Sequence, residues 1–363
     1  MKQPQGLRAL TLRLAAILVA VNGLSSCYYR ETRSIGGTTI SVSGLWPGNA
    51  AFSDQATRRG ELSLSTEGGA PARIEVEAAA ATIVVKTTSE EPRAEFTWTA
   101  AGRTKEEAEA IVAAALATKS ALRDGTRIEV VSDPYEVVDG ATTYKCTPRC
   151  EVRVFVHAGT AIDVRCQSGD IEVEGPVGAA QVRSQYGSLT LNKVSGDLDA
   201  RTSSGNVTAR DIDGGTVQLE TQYGNVKAEG LSATLSKVTS QSGNLDIHEV
   251  AGAVEASTRY GNIEIRACSG TLRATTSSGK IELQGVKGEA QAKTTYGDID
   301  CSLDASFSGS IRATTIYGTS SADFELEERV LAKRNTTLRG RVGDGKAQVE
   351  LATSSGNVRL RRR

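Results

Sequence analysis

Histidine is almost missing from this 363-residue chain: the two copies, His157 and His248, stand on separate segments. That leaves little material for general acid–base work near neutral pH. No G-x-S-x-G elbow, phosphate-binding loop or HExxH run is present, and no base stands in pattern beside a serine or cysteine. An excess of one charge is lacking as well. Lys and Arg number 42 against 43 Asp and Glu, and a net charge of −1 gives no bulk attraction for nucleic acid. Aromatics make up only 4%, whereas glycine reaches 37 residues, which suits thin stacked β-structure better than a bulky core. No catalytic residue, cofactor or metal ligand is therefore assigned.

What is there is a repeat. Glycines preceded by Ser or Tyr recur at Gly169, Gly187, Gly205, Gly224, Gly243, Gly261, Gly279, Gly297 and Gly318, with gaps of 18, 18, 19, 19, 18, 18, 18 and 21. A second glycine follows most of these nine residues later, as at Gly178, Gly196, Gly214, Gly252, Gly270 and Gly288. Two short strands and two glycine turns thus make one unit. Two and four residues after the first glycine come apolar pairs such as Ile171 and Val173, Leu189 and Leu191, and Ile263 and Ile265, with polar residues between them. This period-2 alternation buries one face of each strand and wets the other. Units so small cannot bury that face alone, so they must stack.

A column of hydroxyls, from Ser184 and Thr202 through Thr294 to Thr315, lies three residues before the glycines and also faces inward. Stacked hydroxyls are expected to pass hydrogen bonds along the column. The reading is a mainly β fold, a parallel β-helix (β-solenoid) of about 18-residue units with a small N-terminal α+β cap. Inward positions 2, 4 and 7 after the glycine argue against a hexapeptide, left-handed coil. The residue before the glycine alternates between Ser and Tyr, so a coil of 36 residues stays open beside the favoured 18.

The chain divides into four parts. Residues 1–26 read as a lipoprotein signal peptide: Lys2, Arg8 and Arg13 precede the apolar run from Leu14 to Val21, which is short for a membrane span. Leu24-Ser25-Ser26-Cys27 looks like a lipobox, which implies lipidation of Cys27 and a membrane contact through the lipid anchor. Tyr28, rather than Asp, follows the cysteine and favours the outer membrane. Residues 27–60 read as a tether, with a stray strand at Thr38–Val42. Residues 61–159 read as a β-rich cap with one helix, opened by the capping box Thr104-Lys-Glu-Glu107 and running over Ala108–Leu122. Residues 160–363 form the repeat domain, in which Ala322–Gly340 reads as one irregular coil before the closing arginines.

Ser168-Gly169-Asp170-Ile171, Tyr223-Gly224-Asn225-Val226 and Ser278-Gly279-Lys280-Ile281, with a β-plus-helix segment before them, resemble the bacterial adhesin-like family of β-strand repeats, a domain of unknown function. The likeness covers roughly Glu61 to Leu360 and carries no functional residues. It implies a cell-envelope protein.

Several residues invite a role. Cys146 and Cys150 are close enough in sequence to close a small disulfide loop. Cys166, Cys268 and Cys301 occupy inward slots and read as buried thiols. Asp246, Glu264, Glu282 and Asp300, each three residues after a glycine, form an outward acidic column if coils hold 18 residues. Such a column is a candidate surface for a cation or basic partner, with ordinary solvated surface as the plainer account. The outward Tyr186, Tyr223, Tyr260 and Tyr296 suggest stacking on sugars, although turn packing against the next coil is the favoured account. The sequence thus points to a non-enzymatic, lipid-anchored protein presenting a β-helical surface to a glycan or envelope protein. A self-assembling scaffold is the alternative, and a polysaccharide-degrading β-helix comes after it.

Overall fold

The structure, a computed structural model, describes residues 27–35, 38–45, 54–65, 70–122, 125–139, 142–331, 337–343 and 345–363. Its body is a parallel β-solenoid. Strand Ala161–Ser168 pairs in parallel with Ala180–Tyr186, and Ile171–Val177 with Leu189–Val194, so the same face recurs after 18 residues. The shorter of the two coil lengths holds. Every coil is two strands, and the apolar columns of both meet in one continuous core running from Leu64 to Leu360.

The turn at the first glycine explains the repeat. The backbone ladder skips two groups there, the glycine carbonyl and the N–H of the residue after it. The inward hydroxyl column answers the first: Thr202 Oγ1 donates to the Gly187 carbonyl at 3.0 Å and Thr221 Oγ1 to Gly205 at 3.0 Å. Each hydroxyl therefore serves the preceding coil's glycine instead of the next hydroxyl, which corrects the expected relay. A second column answers the other group. Asn206 Oδ1 accepts from the Asn225 N–H at 2.9 Å, and Asn225 Oδ1 from that of Asn244 at 2.8 Å. Glycine is required between them: at Gly205 φ is +152°, and a Cβ would lie 2.1 Å from the Gly187 carbonyl oxygen.

The inward spacing of 2, 4 and 7 also has a cause. The sixth residue after the glycine adopts left-handed backbone at Lys193, Asp211, Glu249 and Ala267, and at Gly230 and Gly285. One residue is thereby taken up out of register, and the seventh turns inward as Val194, Ile212, Val250 and Cys268, all buried.

The ends depart from the repeat. Strands Arg73–Ala80 and Thr82–Thr87 form a coil directly under Ala161–Ser168 and Ile171–Val177. Beneath it lie Gly125–Val131 and Arg149–Val156, also parallel. Arg93–Gly102 then runs antiparallel on Arg149–Val156, and Asp54–Ser63 antiparallel on Arg93–Gly102. Phe96 and Trp98 stack at 5.4 Å in this cap, with the Arg58 guanidinium over Trp98.

Two expectations for this region need correction. The helix spans only Lys105–Ala113; Thr104 caps it through the Glu107 N–H, but Leu116–Ala121 leaves as a strand antiparallel to Gly125–Val131. Lys119 holds that strand by donating to the carbonyls of Ser63 and Ser65. The expected tether is not loose chain. Cys27–Ile35 and Thr38–Leu45 pair with each other, and the first also pairs with Thr142–Cys146, in a separate four-stranded antiparallel sheet. Backbone pairing to a distant segment orders them, a signal that periodicity within residues 27–60 does not contain. The signal-peptide residues 1–26 lie outside the described residues.

The far end is threaded. Beyond Ala322 the expected irregular coil gives way to antiparallel pairing: Glu327–Leu331 and Leu338–Val342 pair with each other, and the latter covers the outer edge of Gly309–Tyr317. The chain then turns back. Ala347–Ser355 inserts between Ala290–Tyr296 and Gly309–Tyr317, parallel to both, and Val358–Arg362 inserts likewise between Ile299–Leu303 and Ser320–Ala322.

Candidate functional site

Stacking converts sequence columns into surface files. The Ser/Tyr column runs Ser168, Tyr186, Ser204, Tyr223, Ser242, Tyr260, Ser278 and Tyr296 in direct register. The threaded strand then places Ser355 beside Tyr296, and Tyr317 beside Ser355. Alternation thus continues to a fifth tyrosine that chain order hides, because Tyr317 follows Tyr296 in the sequence with no serine turn between. With strands about 4.8 Å apart, neighbouring tyrosines stand about 9.6 Å apart and the file runs about 38 Å.

These rings do not pack down against the turn. Tyr186, Tyr223, Tyr260, Tyr296 and Tyr317 are 50%, 60%, 58%, 64% and 75% exposed. Two coils of separation exceeds the distance at which aromatic rings pair. None of their hydroxyls hydrogen-bonds to a described residue. The turn-packing account therefore gives way to an exposed aromatic edge. Beside it run Asn206, Asn225, Asn244 and Asn262, exposed, with Oδ1 committed to the next coil and Nδ2 without a partner among the described residues. The sequence reading missed this amide file; the repeated Asn after glycine was its signal.

The acidic column is assembled as expected: Asp246, Glu264, Glu282 and Asp300 sit in register on successive coils. Each is answered by a cation or an imidazole. His248 is bonded to Asp246, and Arg266 is bonded to Glu264. Lys280 Nζ bridges Glu282 at 2.8 Å and Asp300 at 2.7 Å, and Arg359 approaches Asp300 at 3.4 Å. Glu282 is held below the usual carboxylate range by the Lys280 hydrogen bond foremost. Burial is the largest influence on Asp300 and pushes it up, but the Lys280 and Arg359 contacts together bring it below its ordinary value. Among the described residues no group of His, Cys, Asp or Glu is arranged to hold a metal ion.

A groove of about 570 Å³ lies against a second ladder, Arg165, Arg183 and Arg201, which stack in register. Asp163 holds Arg165, and Asp199 holds both Arg183 and Arg201, so this ladder too is internally compensated.

The cysteines divide differently from expectation. The structure does not join Cys146 to Cys150: the chain breaks strand at Thr147-Pro148, and the two belong to different sheets. Cys150 is a buried thiol, pushed up to about 12 chiefly by burial. Cys166, Cys268 and Cys301 are buried thiols in inward slots, and burial pushes Cys301 up to about 12. Cys27 begins a strand opposite Cys146 in the small sheet.

The profile of the Toastrack DUF4097 family matches residues 72–361. Among solved structures, a protein named as a lipid binding protein from Parabacteroides distasonis is similar at 12% identity and a TM-score of 0.37, covering 86% of this chain and 98% of its own. An adhesin candidate from Bacteroides fragilis is similar at 12% identity and a TM-score of 0.35, with 86% and 99% covered. A protein named for cell adhesion from Clostridium sporogenes gives 9% identity and a TM-score of 0.21, with 85% and 100% covered. No curated protein matches.

Proposed function

The chain belongs to the Toastrack DUF4097 family, an adhesin-like family of unknown function, and from that premise we propose a non-enzymatic envelope protein that displays its solenoid for binding. The observation that carries this is the exposed tyrosine edge, held by a backbone in which every coil fixes the next. Exposed aromatics in a regular file on a rigid scaffold suit recognition. Anchoring is by lipid on Cys27, supported by Leu24-Ser25-Ser26-Cys27, and Tyr28 favours the outer membrane as its address. End-to-end self-assembly is disfavoured because the outermost strands, Asp54–Ser63 and Glu327–Leu331, are antiparallel to the strands inside them and break the parallel coil register that a second copy would have to continue. Hydrolysis at the acidic column is disfavoured because its carboxylates are engaged by Lys280, Arg266, Arg359 and His248.

Two measurements test the reading. A palmitate analogue should label the wild type and not Cys27→Ser; persistent label would contradict the anchor. The intact protein in detergent should be retained on an envelope fraction. Failure to be retained, or release of sugar fragments during incubation, would overturn the binding role.

A further inference from the structure

We infer that the tyrosine edge binds one strand of a β-1,4-linked glycan whose alternate sugars carry a bulky substituent, the chemistry of a murein strand. The inference rests on the display reading above and names the ligand class for it. Three observations carry it.

The first is distance. Successive tyrosines are two coils, about 9.6 Å, apart. In an extended β-1,4 glycan each sugar is turned over relative to the last, so the same face recurs once per disaccharide, and that unit has nearly this length. Five rings from Tyr186 to Tyr317 therefore meet five equivalent sugar faces. The axial C–H groups of such a face carry slight positive charge and lie on the negative face of an aromatic ring.

The second is alternation. Coils between the tyrosines present Ser204, Ser242, Ser278 and Ser355, which leave open space where the intervening sugars pass. A chain with a substituent on every second sugar needs that space, whereas a uniform chain does not. The threaded strand preserves the pattern where chain order alone would break it, since Ser355 separates Tyr296 from Tyr317.

The third is polarity. The Nδ2 groups of Asn206, Asn225, Asn244 and Asn262 run beside the rings with no partner among the described residues, and they supply donors for sugar hydroxyl and acetamido oxygens. From Asn206 to Asn262 this column is uncharged, and beyond it Lys280 and Asp298 take the same slots.

The test uses the intact protein with four probes: peptide-free murein glycan strands, chitooligosaccharides, amylose oligosaccharides and the envelope fraction. Affinity for murein strands should climb with each added disaccharide until the file is spanned, because each new ring binds intramolecularly. Tyr223→Ala and Tyr260→Ala should each weaken a long strand by about tenfold and leave a single disaccharide unchanged. Ser242→Tyr should weaken murein strands but not chitooligosaccharides. Circular dichroism of each variant checks that these exposed changes leave the fold intact.

Length-independent affinity, equal binding of amylose, or undiminished binding by a variant with all five tyrosines changed to alanine would overturn the assignment. So would equal affinity for unsubstituted chains together with no effect of Ser242→Tyr. Retention of the tyrosine-free variant on the envelope fraction sinks the ladder and leaves the display role standing; no retention of the wild type sinks both.

Discussion

The repeated body and the two ends solve the same problem by different means. In the body each turn leaves one carbonyl and one N–H outside the ladder, and two side-chain columns return them, hydroxyls on the inside and, from Asn206 to Asn262, asparagines on the outside. Each contribution is small, local and duplicated. The ends cannot duplicate anything, because an end has no next coil. They rely on single contacts: Trp98 stacked on Phe96 under Arg58 at one end, and a strand threaded backwards at the other. Loss of one body contact should therefore be a graded effect, and loss of an end contact a regional one.

The largest expected effect breaks the comparison at the threaded end. Removing residues 347–363 leaves Ala290–Tyr296 and Gly309–Tyr317 with no strand between them. Amide exchange should lose protection across residues 290–322 while residues 180–268 stay protected. Equal loss throughout would mean that body and end are one cooperative unit.

Within the body, Gly205→Ala should be more damaging than the loss of any one side-chain hydrogen bond. It forces a Cβ to 2.1 Å from a carbonyl oxygen and should cost about 3 kcal/mol or more in denaturant unfolding. Thr221→Val keeps the shape but strips the donor from the Gly205 carbonyl, with an expected loss of about 1–3 kcal/mol. Next comes the left-handed residue of each coil. At Gly285, φ is +71° with open space around the site, so Gly285→Ala isolates the backbone cost at about 1 kcal/mol. Ala267→Gly, at φ 51°, should gain about 0.5 kcal/mol.

The smallest effect concerns acid. Glu282 and Asp300 have depressed folded values, so their contribution is present above the ordinary carboxylate range of about 3.9–4.3 and fades as pH falls through the folded values. Lys280→Met should flatten that acid limb in a stability-versus-pH series. An unchanged slope would mean that the Lys280 bridge is not its source.

The same contrast decides what could be read in advance. The inward columns were legible because Ile171, Leu189 and Val207 recur at intervals that only stacking explains, whereas the choice between 18 and 36 residues per coil, on which the acidic file depends, needed the strand pairing itself. The tyrosine edge was half legible. Four tyrosines stood out, but Tyr317 did not, since its place depends on where Ser355 is threaded. The cap was less so: Leu116 looked like part of an amphipathic helix, yet antiparallel pairing to Val131 draws it into a strand, and it ends 53% exposed. Local pattern loses there to a partner that lies far along the chain. Cys146 and Cys150 failed for a similar reason, because proximity in sequence says nothing about a change of sheet between them.

Order of synthesis and order in space disagree beyond Leu303. The coil at 309–322 is made before the segment that must separate it from the rest of the spring, so for a time it has nothing to dock on. Folding there ends with a wedge driven into a waiting gap, and a truncated or stalled molecule would carry raw strand edges instead. The fifth ring, Tyr317, thus takes its place in the row only through a strand that the ribosome makes after it.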